Sequence, residues 1–120
     1  MPKQYYQLVV NGKTESVWLA KQTYIHPRTL AVQMYDIDDL PFATITVNLC
    51  SKQQSFSRAF LDTNNCPWVE QFLVGYNLAK PVDNIHLSSG FCSYPLYEFD
   101  LDQLSKNPTS ERSEVEWKFL

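Results

Sequence analysis

The sequence is short of glycine. Only Gly12, Gly75 and Gly90 occur in 120 residues, and they stand apart. A phosphate-cradling loop or a dinucleotide turn needs clustered glycines, so neither is expected. No Asp-x-Asp-x-Asp-Gly run is present, which removes the common calcium loop. No stretch of about 18 apolar residues occurs, so no membrane-spanning helix is expected. The first residues, Met1-Pro2-Lys3-Gln4-Tyr5-Tyr6, lack the apolar core of a signal peptide, and a cytoplasmic location is expected. Cysteine is sparse and odd in number, with Cys50, Cys66 and Cys92. That count fits reduced thiols rather than a disulfide framework.

What is present is a folding composition. Apolar residues make up 44% and charged residues 19%, a balance that favours a packed core over disorder. The length suits one domain. Charge is unevenly spread. Residues 1–60 carry six basic and four acidic side chains, or +2, and residues 61–120 carry four basic and nine acidic, or −5. An acidic half argues against direct grip on phosphate backbones, although it suits docking onto a basic surface. Tyrosines and tryptophans are numerous, but the basic groove that single-strand binders pair with such platforms is thin. No direct nucleic-acid binding is expected.

Asn11-Gly12 lies between two strand-like runs, 7–10 and 13–20, and is a preferred two-residue hairpin turn. Residues 29–36 form a further strand, and the acidic 36–41 a turn. In 42–49, Ala43, Ile45, Val47 and Leu49 alternate with Thr44, Thr46 and Asn48, which predicts one antiparallel strand with a buried face. Residues 55–61 make another strand. Val69, Phe72, Leu73 and Tyr76 recur at helical spacing, which predicts a helix over 69–79, capped by Asn65 or Cys66 and closed by Lys80-Pro81. Residues 84–90 are expected to be a loop and 91–99 a strand. Pro95 in that strand favours an edge or a bulge, since it cannot donate to a ladder. Residues 101–106 suggest one helical turn. Residues 1–106 are thus expected to form a single α+β domain, a mainly antiparallel sheet of five to six strands with one principal helix packed on one face. Residues 107–120 form a linker and an apolar tail, "VEWKFL", expected to dock on the body or on a partner.

Three constellations bear on chemistry. Cys66 sits at the expected helix start, where a helix dipole lowers a thiol pKa, and His26 or His86 would serve as its base. No nucleophile motif surrounds it, and an ordinary, partly buried cap-region thiol is the preferred reading. Cys50, Cys66, Cys92 and His86 make a legitimate zinc set by residue type, although their spacing lacks the close pair that usually holds half a site. The acidic groups at 36–39 and 100–102 look like solvated turns rather than facing catalytic carboxylates. A cysteine-dependent enzyme and a zinc-stabilised binding domain therefore stand as alternatives to a non-enzymatic chain without cofactor.

Three ordered stretches, Thr46-Val47-Asn48-Leu49, Asp62-Thr63-Asn64-Asn65-Cys66-Pro67-Trp68 and Ser89-Gly90-Phe91-Cys92-Ser93-Tyr94-Pro95-Leu96-Tyr97, carry a resemblance. The chain resembles an uncharacterised domain family of small proteins from phages, plasmids and conjugative elements of Gram-positive bacteria. The likeness spans roughly residues 29–104 and implies no catalytic residues. It implies a mobile-element protein in a bacterial cytoplasm, and by analogy a counter-defence inhibitor, most plausibly of a Cas9-type CRISPR nuclease. An anti-CRISPR protein of this kind needs a rigid scaffold, aromatic anchors and charge complementary to a basic channel. The acidic candidates for that contact are Asp36, Asp38, Asp39, Glu98, Asp100, Asp102, Glu111, Glu114 and Glu116.

Overall fold

The computed structural model describes residues 4–106. In chain order these hold β1 (Tyr6–Val10), β2 (Lys13–Thr23), β3 (Leu30–Tyr35), β4 (Pro41–Thr44), β5 (Thr46–Val47), β6 (Arg58–Leu61), α1 (Val69–Gly75), β7 (Ala79–Ser89), β8 (Cys92–Phe99) and β9 (Ser105–Lys106). A 3-10 turn, Leu101–Gln103, precedes β9. Among the described residues, no helix is long and apolar enough to cross a membrane.

The strands form two sheets. The first runs β1-β2-β3-β4, all antiparallel, with β9 lying parallel to β2 at Ala20 and Lys21. The second runs β5-β6-β8-β7, also antiparallel. One core lies between them. The first sheet gives it Leu8, Val17, Leu19, Val32 and Met34, and the second gives Ala59, Leu61, Tyr97 and Phe99. α1 closes this core with Val69, Phe72 and Leu73. The domain is therefore nearly all-β, and the expected α+β sheet with a principal helix on one face is overturned. The inner faces of the two sheets supply most of the core and leave the helix only Val69, Phe72 and Leu73 to bury.

Local chemistry explains each departure. Asn11 and Gly12 take φ of 52° and 80°, the turn that the sequence predicts, and set the β1–β2 register. The single strand expected over 42–49 is instead two. β4 belongs to the first sheet and β5 to the second, and Ile45 is fully buried between them. The Ile45 N–H donates to the Val32 carbonyl at 3.1 Å, while its own carbonyl accepts from Asp62 N at 2.9 Å. One residue thus hydrogen-bonds toward both sheets.

The helix expected over 69–79 spans only Val69–Gly75, and its N-cap is Trp68, with no side-chain cap bond, rather than Asn65 or Cys66. Asn77 ends it at φ 59°. Leu78 N donates to Leu73 O at 2.8 Å and Asn77 N to Val74 O at 3.1 Å, the bond pair of a Schellman stop. Leu73 and Leu78 are both fully buried beneath it. The chain then enters β7 at once, so the expected 84–90 loop is strand. A bulge between Pro81 and His86, with Asp83 at φ 49°, absorbs the strand-breaking residues. Pro95 pairs with His86 beside that bulge, and the pairing of β6 with β8 ends at Phe60 and Leu96, so no ladder bond from Pro95 to β6 is required. The expected docking of 107–120 lies outside the described residues.

Two predictions follow the geometry of the corner and the stop. Thr46 Oγ1 accepts from Val32 N at 3.1 Å and bonds the Tyr24 hydroxyl at 2.8 Å, and Thr46 is buried. Thr46→Val keeps the shape but strands both groups, so urea unfolding should show a loss of about 1–3 kcal/mol. Asn77→Val forces a β-branched residue into left-handed backbone and should cost about 1–2 kcal/mol in the same assay, whereas Asn77→Gly should not.

Candidate binding surface

The second sheet ends in a projecting hairpin. Ser89 pairs with Cys92, leaving Gly90 and Phe91 as a two-residue turn. Gly90 takes φ 64°, and Phe91 is not among the positive-φ residues, which fits a turn that requires glycine in its first central position. Phe91 is fully exposed. Behind it Leu87 pairs with Tyr94, and Leu87 is also exposed. Residues 87–94, Leu-Ser-Ser-Gly-Phe-Cys-Ser-Tyr, carry no charge. A benzyl ring on a rigid turn, ringed by hydroxyls, has the make-up of a contact anchor: it loses little side-chain freedom on docking and has apolar area to bury.

The acidic candidates fall into two groups. Asp36 folds its own turn, accepting from Asp38 N at 2.8 Å and from Leu40 N at 3.0 Å. Asp39 accepts from the Trp18 indole at 3.0 Å. Glu98 meets the Arg58 Nε at 2.8 Å, and this bond, with a second from Ser57, holds its carboxyl below the usual range. Asp100 caps the 3-10 turn through Asp102 N. Asp38 and Asp102 are exposed on the same turns. Glu111, Glu114 and Glu116 lie outside the described residues. The structure therefore assigns four of these carboxylates local bonds, and it does not gather them into one patch with the hairpin tip.

The metal and thiol candidates are dispersed. Among the described residues, no group of three His, Cys, Asp or Glu side chains could hold a metal ion. Cys50 is exposed at φ 54°, Cys66 is buried in the core, Cys92 is half-buried at the hairpin, and His86 is exposed, with Nδ1 3.1 Å from the Asn84 carbonyl. Hence Cys50, Cys66, Cys92 and His86 are not brought together. Cys66 also differs from an activated thiol. Burial first, then the nearby Asp62 carboxylate, pushes its pKa up to about 11. Its Sγ faces the Thr44 carbonyl at 3.9 Å.

The turn ahead of Cys66 is organised by Asp62. Its carboxylate accepts from Asn65 N at 3.2 Å and from Asn65 Nδ2 at 2.9 Å, and its carbonyl accepts from Cys66 N at 2.8 Å. This places Trp68 at the start of α1, edge-on to Phe72 at 6.4 Å. Between α1 and β1 lies an open groove of about 370 Å³, lined by Leu8, Val9, Trp68, Gln71, Phe72 and Tyr76 among others. None of its lining residues is an acid, a histidine, a lysine or a thiol. The Tyr76 hydroxyl is held on the β1 backbone, accepting from Gln7 N and donating to Gln7 O, both at 3.0 Å. The groove has apolar walls without a group poised for acid, base or nucleophilic work.

Thiol titration checks this picture. At pH 8 a thiol with pKa near 11 is ionised in about one chain in a thousand. Cys50 should react with an aromatic disulfide reagent within the mixing phase. Cys66 should react only at the rate of opening, and should catch up in denaturant.

Comparison with known proteins comes to one family. A family model described as a domain of unknown function, DUF4313, matches residues 18–118. No curated protein and no solved structure matches. The matched span takes in the sheet-switching corner, the turn into α1 and the whole β7–β8 hairpin, and the chain belongs to the DUF4313 family.

Proposed function

We propose that this chain is a non-enzymatic protein-binding domain that presents the β7–β8 hairpin to its partner. The observation that carries the reading is Phe91, a fully exposed aromatic ring on a two-residue turn. The groove beside α1 is lined by neutral side chains, and burial raises the Cys66 thiol pKa, so neither offers an activated group. Solvent-exposed aromatic surface costs solubility, and a binding role accounts for its placement on a hairpin turn.

The specific partner we put forward is a bacterial defence nuclease of the Cas9 type, with the chain as a mobile-element inhibitor acting in the host cytoplasm. What supports it is the net charge of −3, concentrated in residues 61–120. Exposed acids such as Asp38 and Asp102 would add long-range attraction to a basic nucleic-acid channel, while the uncharged tip would supply the short-range contact. No metal or cofactor enters this mechanism.

Two measurements separate the general reading from the specific one. A pull-down with a Cas9-type effector and a DNA-cleavage assay, run at rising salt, should show a complex and inhibition that both weaken as salt screens the charges. Phe91→Ser should weaken binding by at least about 30-fold, the scale of an aromatic hot spot, with unchanged thermal unfolding. Unimpaired cleavage and no complex at low salt would remove that nuclease as the target. Full affinity of Phe91→Ser for a captured partner would remove the hairpin as the anchor.

A further inference from the structure

The hairpin tip and the groove beside α1 are complementary, and they do not meet within one chain. Phe91 is fully exposed, so its ring occupies no groove of its own chain. The groove, about 370 Å³, falls in the size range of sites that take small apolar groups. Trp68, Phe72 and Tyr76 follow one another at steps of four residues and line one wall. The Phe72 ring lies edge-on to both others, 6.4 Å from Trp68 and 5.3 Å from Tyr76. Phe72 is buried, while Trp68 is half-buried and Tyr76 exposed, so two aromatic surfaces stay open to a visitor. Leu8 and Val9 form the opposite wall, and Val9 is exposed. The Tyr76 hydroxyl, tied to both the N–H and the carbonyl of Gln7, fixes the spacing of α1 from β1.

Charge selects the occupant. No side chain of the groove is charged, so nothing there offsets an ion carried in with the visitor. Residues 87–94 carry none. The other exposed apolar side chains on described loops differ. Ile25 has Arg28 three positions on, Ile37 lies between Asp36 and Asp38, Leu40 follows Asp39, and Phe56 has Arg58 two positions on. Seating any of these would bring a charge to the rim of an uncharged groove, where it loses water without gaining a partner. Phe91 enters without that cost.

We infer that in the free protein Phe91 of one copy seats in the α1–β1 groove of a second copy, so that self-association occludes the anchor until a partner takes it. This rests on the reading of Phe91 as the anchor and adds its regulation. Even a reciprocal pair of insertions buries only roughly 600–1,000 Å², counting ring and walls. Stable complexes bury at least about 1,200 Å². The association is therefore weak, and a partner that receives the ring within a larger interface displaces it.

Dilution of the full, isotope-labelled chain from about 1 mM to about 10 µM, followed by NMR, tests this. The Trp68 indole N–H, the Val9 methyls and the Phe91 amide should shift together with one midpoint. In a mixture of labelled and unlabelled chains, cross-peaks should run from the Val9 methyls of one copy to the Phe91 ring of another. Phe91→Ser should raise the midpoint at least about tenfold, as should Val9→Lys, which puts a charge on the groove wall. Both variants should unfold at the wild-type temperature. Val9→Lys should still bind a Cas9-type effector as the wild type does, whereas Phe91→Ser should not, which separates groove from anchor. Spectra that do not change with concentration, or a Trp68 shift that survives Phe91→Ser, would overturn the inference and leave the hairpin reading standing. Full partner affinity of Phe91→Ser is the distinct result that removes that reading.

Discussion

The peptide groups of Ile45 hold the two sheets to each other. Its N–H is bonded to Val32 in β3, and its carbonyl receives Asp62 N at the end of β6. A buried amide left without a partner costs about as much as a lost hydrogen bond, so a chain crossing between sheets must satisfy both ends at the crossing. The surrounding sequence is arranged to do so. Thr44 lies before the corner, its carbonyl facing the Cys66 thiol. Thr46 lies after it, its hydroxyl serving Val32 N and Tyr24. Asp62 in turn folds the loop that sets Trp68 at the start of α1. Corner, turn and helix form one connected unit, and the core is enclosed because that unit is in place.

This arrangement shows why part of the fold is legible in sequence and part is not. The β1–β2 hairpin is legible because Asn-Gly between apolar runs is a purely local signal. Alternation in 42–49 correctly marks Ile45 as buried, but a period of two names a face and not a sheet, and the change of partner at Ile45 depends on β3 and β6 far along the chain. The helical spacing of Val69, Phe72, Leu73 and Tyr76 is real over two turns. Its continuation into Leu78 and Ala79 is not helix but the apolar half of a stop, which Asn77 followed by leucine could have signalled. Pro81, Asp83 and Asn84 look like a loop because each resists a regular strand, and the bulge lets β7 run through them. Taking 84–90 as loop and 91–99 as strand also hid the candidate anchor. A strand over 91–99 makes Phe91 its first residue, although Ser-Gly-Phe-Cys carries the glycine of a tight turn.

Charge was the weaker guide. Summed over the sequence, every carboxylate contributes equally to an acidic surface. In the structure, Asp36, Asp39, Glu98 and Asp100 each hold a specific hydrogen bond, so part of the acidic excess serves turns and one ion pair. The Arg58–Glu98 pair is partly exposed, with side chains 46% and 30% accessible, and contributes at most about 1 kcal/mol. Its value is positional, since it links β6 to β8 across the base of the hairpin.

That base matters for how a hairpin tip can act as an anchor. β7 is the outer strand of its sheet, and a long unpaired edge invites pairing with any extended chain. Here the edge is interrupted: Pro81 lacks a donor, and the bulge at Asp83 bends the strand away from a continuous ladder. Recognition by strand addition is therefore disfavoured along the middle of β7. Beyond the bulge, His86 to Ser89 pair regularly with Ser93 to Pro95 and Cys92, so the tip is stiff. What the tip offers is the shape of one phenyl ring beside serine and tyrosine hydroxyls. A rigid anchor of that kind loses little entropy on docking, which is the physical condition under which a single exposed aromatic ring can dominate an interface.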